Sequence, residues 1–499
     1  MKNILLPIIA FFALITFFHS LDAAETSQQA NAKPNVIVVL VDDLGWADLG
    51  CYGSVFFETP QLDRMAKDGM LFTNAYAACA VCSPTRTALQ TGLNPARVGI
   101  TDWIRGKFQG GIIPPDGKNP SGYADDPKRK LLCPENKLFM ETEYLTIAKH
   151  LKAAGYTTCH IGKWHLGREG AMPTDHGYDI NIAGCDLGQP PSYFDPYDVD
   201  HPDYVIPENI LPRREKGEYL TDREADEAVQ FIRTHKNKPF FLHLAHYAVH
   251  TPLQARESLV QKYRHKLERL KSEGVKTPQT NAVYAAMVES VDDAIGRILD
   301  TLQEEGLVGN TYVVFTSDNG GLLGSTSNAP LRSGKGYPYE GGIRTPFIVW
   351  APGRVKPGEN DVPTITYDLL PTICDWVGTD LPKVPLDGLS IRSVTDPASE
   401  TKNMIAQLKE RPLLWHFPHY RDTNPPVTPY SIVRQGRWKI IRFDEKPTPE
   451  LYDLESDPYE TTNLVAREPE TASRLLRLLD EQLDAVGAKR VKPNPIYQD

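Results

Sequence analysis

The apolar run Val36-Ile37-Val38-Val39-Leu40-Val41 stops abruptly at Asp42-Asp43. An unbroken β-branched run fits the central strand of a parallel sheet, which is covered on both faces and has no solvent side to alternate with. Three later runs repeat the pattern. Tyr156 to Ile161 leads into Gly162-Lys163-Trp164-His165-Leu166-Gly167, and Phe240 to Leu244 runs towards His250-Thr251-Pro252. Tyr312 to Thr316 ends in Ser317-Asp318-Asn319-Gly320-Gly321. Between the last two, Tyr284, Met287, Val288, Val291, Ile295, Ile298, Leu299 and Leu302 recur at helical spacing, a core-facing stripe of a long amphipathic helix. Shorter helices are expected from Pro60 to Gly69 and from Glu143 to Ala154. Strands alternating with helices predict an α/β domain, a large mostly parallel sheet flanked by helices. Ligands bind such sheets beyond the carboxyl ends of the strands, where this chain delivers its acids, amide, lysine and imidazoles.

Asp42-Asp43 and Asp318-Asn319 are two doublets of oxygen donors, each following a buried strand. All-oxygen ligation favours a hard cation, calcium or magnesium, over zinc. After about residue 390 the texture changes. Leu413 to Phe417, Ser431 to Arg434, Trp438 to Arg442 and Glu450 to Leu454 read as short strands, and Glu468 to Val486 as a closing helix. The expected division is a signal peptide over 1–24, a lead-in over 25–33, a catalytic domain over 34–390 and a smaller C-terminal antiparallel sheet with a helix over 391–499.

Cys82-Ser83-Pro84-Thr85-Arg86 runs on to Thr91-Gly92. Pro84 suits a first helical turn and Gly92 a C-terminal stop, which sets Cys82 at a helix N-terminus with Arg86 one turn further on. Exposed N–H groups there favour an anion. Cys79 and Cys82 also make a C-x-x-C pair, but Ser-Pro-Thr-Arg follows it and the N-terminal strand lies far away, which disfavours a redox site.

Cys-x-Pro-x-Arg followed by Thr-Gly resembles the signature of the type I sulfatases of the alkaline-phosphatase superfamily. Gly-Lys-Trp-His-Leu-Gly around Lys163 and His165 resembles the family's second signature. His250-Thr251-Pro252 and the Lys335 stretch, Gly-Lys-Gly-Tyr-Pro-Tyr-Glu-Gly-Gly-Ile-Arg, are close to family patterns. The resemblance covers roughly residues 34–350, with a weaker match over Asp457-Pro458-x-Glu460-x-x-Asn463-Leu464. Thr85 stands where serine is commoner. The nearest relatives it suggests are bacterial polysaccharide and N-acetylgalactosamine sulfatases.

The resemblance implies that a formylglycine-generating enzyme oxidises Cys82 to formylglycine. It also implies one calcium ion, with magnesium open, held by Asp42, Asp43, Asp318, Asn319 and residue 82. Hydrated formylglycine would attack sulfur, with Arg86 and Lys163 holding the diol. His250, helped by Lys335, would protonate the leaving alcohol. His165 would remove the second hydroxyl's proton and so expel sulfate. A poor alkoxide leaving group and a spreading charge on the sulfuryl oxygens call for such a donor and such fixed cations.

The expected substrate is a sulfated galactose or N-acetylgalactosamine unit of a polysaccharide. Asp102, Trp103, Arg105, Tyr193, His416 and His419, from stretches rich in aromatics, are the candidates to touch the sugar. The rivals are a phosphonate or phosphate monoesterase on the same scaffold and an arylsulfatase of broad specificity; the phosphatases need histidine ligands and a Ser or Thr nucleophile, and the phosphonate hydrolases tend to carry histidine where Asn319 stands. A non-catalytic carbohydrate binder is disfavoured because all the presumed catalytic residues are present.

A net charge of −10 argues against a nucleic-acid partner. Lys2, the apolar run Ile4 to Phe18 and Ala23-Ala24 read as a secretory signal, and no later stretch is apolar enough to span a bilayer. Absence of any Asn-x-Ser/Thr acceptor favours a bacterial periplasmic or secreted protein.

Overall fold

The computed structural model describes residues 33–396 and 402–498. The signal peptide and nearly all of the lead-in lie outside the described residues.

Strand β1 (Asn35–Val41) is buried at every position. It pairs in parallel with β5 (Phe240–Ala245) on one side and β6 (Thr311–Ser317) on the other. Beyond β5 come β3 (Thr157–Gly162) and β4 (Ile180–Ile182), also parallel. Beyond β6 come β7 (Phe347–Trp350), β2 (Met70–Phe72) and β8 (Gly358–Asn360). The order is β8-β2-β7-β6-β1-β5-β3-β4, and β7 alone runs against its neighbours.

Alternate residues of β1 enter different cores, which is why its run lacks a polar face. Ile37, Val39 and Val41 pack with α1 (Pro60–Asp68), α4 (Leu220–His235), α5 (Glu257–Ser272) and α6 (Ala282–Glu304). Val36, Val38 and Leu40 pack on the other face, with α2 (Cys82–Thr91), α3 (Ile147–Ala153), α7 (Leu369–Val377) and α8 (Lys402–Glu410). The stripe expected on α6 is buried as a set, and Asn281 caps that helix by accepting from Val283 and Tyr284 N–H. Helix α3 starts later than its apolar pattern suggests. Thr146 accepts from Lys149 N–H and so fixes the boundary there.

The C-terminal part is an antiparallel sheet of β9 (Leu413–Phe417), β10 (Tyr430–Gln435), β11 (Trp438–Phe443) and β12 (Glu450–Asp453). One face packs on α9 (Pro469–Ala485) through Leu475, Leu479 and Leu483. The other lays Trp415, Phe417 and Tyr430 against Tyr76, Ala78 and Cys79, beside the start of α2.

Candidate active site

Four strand ends and one helix start converge. Asp42 and Asp43 follow β1, Lys163 and His165 follow β3, His250 lies five residues beyond β5, and Asp318 and Asn319 follow β6. Cys82 is the first residue of α2, with Val81 extended before it and Gly92 at φ 68° closing the helix. One donor atom each from Asp42, Asp43, Cys82 and His250 lies within 4.8 Å of the others.

The cations sit between the acids. Lys163 Nζ is 2.6 Å from Asp42 Oδ2, and Lys335 Nζ is 2.6 Å from Asp43 Oδ1. Arg86 donates from Nε to Asp318 Oδ2 (2.9 Å) and from Nη1 to Lys163 O (2.8 Å). Asn319 Nδ2 donates to Asp43 Oδ1 at 2.8 Å. Three oxygens remain buried without a hydrogen-bond partner: Asp42 Oδ1, Asp43 Oδ2 and Asn319 Oδ1. Arg86 Nη2 lies 3.7 Å from Asp42 Oδ1 and His250 Nε2 3.5 Å from Asp43 Oδ2, too far to satisfy them. Buried oxygens are normally paired, and three lone acceptors from three candidate ligands fit a hard divalent cation. Burial and the Asp318 charge push the Asp42 carboxyl up to about 8. Burial also raises Asp43, but Lys335, His250 and Lys163 together outweigh it and hold that carboxyl well below the usual range.

The two histidines are held in defined tautomers. His165 Nε2 lies 2.7 Å from Ile104 O, so Nε2–H is the donor and Nδ1, which has no partner, keeps its lone pair. Burial, then Lys163 and Arg86, hold this imidazole well below its ordinary pKa, hence neutral. His250 Nδ1 faces Thr251 O at 2.9 Å, which leaves Nε2 towards Asp43. Ser83 ties the parts together, donating to His165 O (3.0 Å) and accepting from Ile104 N–H (2.9 Å). Burial pushes the Cys82 thiol up to about 11 and the Cys79 thiol up to about 12, and all seven cysteines are unbridged. A thiolate pair of the redox kind does not fit these values.

Cys82, His165, His250 and Lys335 open into a cleft whose wall also carries Trp103, Gln109, Gln189 and Arg421. Of the residues expected to touch a sugar, Trp103 lines this cleft. Asp102, Arg105 and His419 line a neighbouring cleft that shares Trp103 as its wall. Tyr193 is fully buried and does not reach the cleft. Its hydroxyl lies 2.6 Å from Tyr247 O and 2.9 Å from His250 O, bracing the loop that carries His250. His416 is also elsewhere, its ring fixed between Ser431 Oγ and Lys489 O on β9. Both are corrections: an aromatic-rich stretch signals packing as readily as binding. Arg421 was missed because the stretch Trp415 to Tyr420 ends one residue short of it.

The sulfatase family model matches residues 34–379, which hold every residue around Cys82 described above except Arg421. The chain belongs to the sulfatase family. Sulfatases are sulfuric ester hydrolases, and this one has the large sheet and small C-terminal sheet of the alkaline-phosphatase-like fold. A second model, for the C-terminal part of N-sulphoglucosamine sulphohydrolase, matches residues 334–489. A sulfatase from Formosa agariphila is 32% identical over 96% of this chain and 93% of its own. The N-acetylgalactosamine-6-sulfatase of Sus scrofa is 34% identical over 78% of this chain and 69% of its own. The crystal structure of Ps i-CgsB, also solved with k-i-k-neocarrahexaose, superposes with a TM-score of 0.70 at 28% identity. It covers 90% of this chain and 92% of its own. Among the described residues no helix of this sulfatase is long and apolar enough to cross a membrane.

Proposed function

We propose that this sulfatase is formylglycine-dependent and removes sulfate from galactose- or N-acetylgalactosamine-type units of a sulfated polysaccharide outside the bacterial cytoplasm. The observation that carries the reading is the set of three partnerless buried oxygens beside Cys82 at the floor of a cleft. Asp42, Asp43, Asp318, Asn319 and the residue-82 side chain would hold a divalent cation, calcium by the family resemblance. When bound, that ion supplies Lewis-acid activation of the nucleophile. Once a formylglycine-generating enzyme has oxidised residue 82, its hydrated aldehyde supplies an oxygen nucleophile for sulfur.

The remaining chemistry belongs to the chain's own side chains. Lys163 and Arg86 cross-tie Asp42 and Asp318, so the acids keep their places while charge changes beside them. His165 accepts a proton at Nδ1, since Nε2–H is committed to Ile104 O. His250 turns Nε2 towards Asp43 with its Nδ1–H held by Thr251 O, so at rest Nε2 carries a lone pair; it passes a proton to the leaving alcohol only after taking one up at Nε2, a charged form that burial and Lys335 oppose and Asp43 favours. Lys335 keeps a positive charge on the wall where the sulfuryl oxygens gather negative charge. Trp103 offers a ring face for the apolar side of a sugar, and Gln109 and Gln189 offer amides for its hydroxyls. The relatives named for N-acetylgalactosamine 6-sulfate and solved with a carrageenan-type oligosaccharide support a saccharide over a small aryl ester.

The test is the protein co-expressed with a maturing enzyme. Peptide mass spectrometry should find an aldehyde at residue 82. Sulfate should be released from 6-sulfated N-acetylgalactosamine or sulfated galactose disaccharides, with loss on chelation and recovery on adding calcium. Cys82→Ala should release none. Full activity in material whose residue 82 is an intact thiol would sink the proposal.

A further inference from the structure

Arg421 stands on the wall of the active-site cleft, contributed by the C-terminal part of the chain. Its backbone is pinned. Arg421 N–H donates to Val427 O (3.0 Å) and Val427 N–H to Arg421 O (3.1 Å), and Tyr337 OH donates to Pro425 O (2.7 Å) inside that loop. Gly336, next to Lys335, lies against the side chain, where an added Cβ would come within 2.9 Å of Arg421 Nε.

The guanidinium itself is poorly satisfied. Nε and Nη1 are buried without a hydrogen-bond partner, and the nearest acid, Asp102, has Oδ1 3.9 Å from Nη1, beyond hydrogen-bonding reach. Asp102 Oδ1 instead accepts from Trp103 N–H at 2.9 Å. A guanidinium on a cleft wall with two of its three nitrogens buried and unpartnered is costly unless something else completes it. The group that suits it is an oxyanion, which a planar guanidinium grips with charge-assisted and often bidentate hydrogen bonds. The scissile sulfate is not that group, because Lys335, His250 and residue 82 already form its place on the cleft floor.

We propose that Arg421 is a specificity-determining residue that holds a second oxyanion of the substrate, a carboxylate or a second sulfate carried by the same or the adjoining sugar. This rests on the saccharide sulfatase reading above. The enzyme is thereby tuned to polyanionic saccharides rather than to isolated sulfate esters, and the C-terminal part reads the substrate while the large sheet cleaves it.

Arg421→Gln and Arg421→Lys remove no hydrogen bond seen in the fold, and Arg421→Lys keeps the charge 3.9 Å from Asp102 that Arg421→Gln gives up, so both should mature and Arg421→Lys should melt like the parent. The assay compares sulfated disaccharides with a uronate neighbour, with a second sulfate and with a neutral neighbour, alongside a small aryl sulfate. Arg421→Gln should raise KM about 10- to 100-fold for whichever doubly anionic substrate the enzyme prefers, leaving kcat and the other substrates nearly unchanged. Arg421→Lys should recover part of that loss, since it keeps the charge but not the fork. The uronate and disulfated arms tell carboxylate from sulfate. An equal loss on the neutral disaccharide, a loss confined to kcat, or no change at all overturns the inference while leaving the sulfatase reading intact. A matured protein that turns over none of these esters overturns both.

Discussion

His165 depends on a residue that carries no side chain at all. A Cβ built on Gly188 would lie 2.7 Å from His165 Cε1 and Nε2, so the imidazole occupies the space that any other residue would fill. Gly188→Ala must push the ring off the bond it makes to Ile104 O, and with it the orientation of Nδ1. Displacing a proton-transfer group by about 1 Å can cost about 100-fold, and removing one costs about 100- to 10,000-fold. Gly188→Ala is therefore expected to lower kcat by about 10- to 100-fold, and His165→Ala by more, with the first also losing about 1–3 kcal/mol of stability to overpacking. Steady-state kinetics on saccharide substrates check this. Parental turnover in Gly188→Ala would remove His165 from the chemistry proposed for it.

At the scale of elements, α1 and α6 share a cap. Thr59 precedes α1 but makes no capping bond to it, its hydroxyl going to Gly50 N–H and Asp63. Asp292 on α6 supplies the cap instead, accepting from Gln61 N–H (3.1 Å) and Leu62 N–H (2.8 Å). Burial pushes this carboxyl up to about 7, against the pull of those two N–H groups. The folded protein then holds a proton there that the unfolded chain has already lost between roughly pH 4 and 7. A state that binds more protons loses stability as pH rises, so Asp292 lowers stability across that window, by at most about 4 kcal/mol. Asp292→Asn should flatten this part of the pH dependence, measured by urea unfolding at pH 5 and pH 8. Identical pH dependence in both proteins would mean the carboxyl is ionised throughout.

At the scale of the molecule, the C-terminal sheet is joined to the site by a fully buried ion cluster. Lys439 on β11 reaches Glu340 Oε1 at 2.9 Å and Glu460 Oε1 at 2.7 Å. Glu460 Oε2 in turn accepts from Glu340 N–H at 2.7 Å. Glu340 opens the short helix Glu340–Ile343 that follows the loop of Lys335, a loop stitched to its surroundings by Lys335 N–H to Gly321 O and Gly336 N–H to Ala80 O. This accounts for the Asp457 to Leu464 motif, a turn that delivers Glu460 to Lys439. Lys439→Met takes the shared cation from two buried carboxylates, leaving Glu340 the more distant Arg344 (3.8 Å), and should destabilise by about 3–5 kcal/mol. A triple variant adding Glu340→Gln and Glu460→Gln should recover much of that loss. Thermal melts of the two decide it, and an unchanged melt for Lys439→Met would show that the cluster contributes nothing.

The sequence alone determined the central strands, the acid doublets after them and the helix start at Cys82, because burial on both faces, metal-type donors and caps each leave local patterns. It gave little sign of β2, β4 and β8, which are three residues long, and none that β7 runs backwards, since direction is a property of pairing. Helices α4 and α5 were not read either, their apolar stripes being diluted by surface charge. Which aromatic-rich stretch reaches the cleft was decided by tertiary structure. Trp103 does and Tyr193 and His416 do not, although all three are buried or half-buried aromatic rings in similar company. Arg421 comes to the same wall as Cys82 from the far end of the chain. A contact of that range is made by folding and leaves no trace in local spacing, which is why chemistry was legible in the sequence and specificity was not.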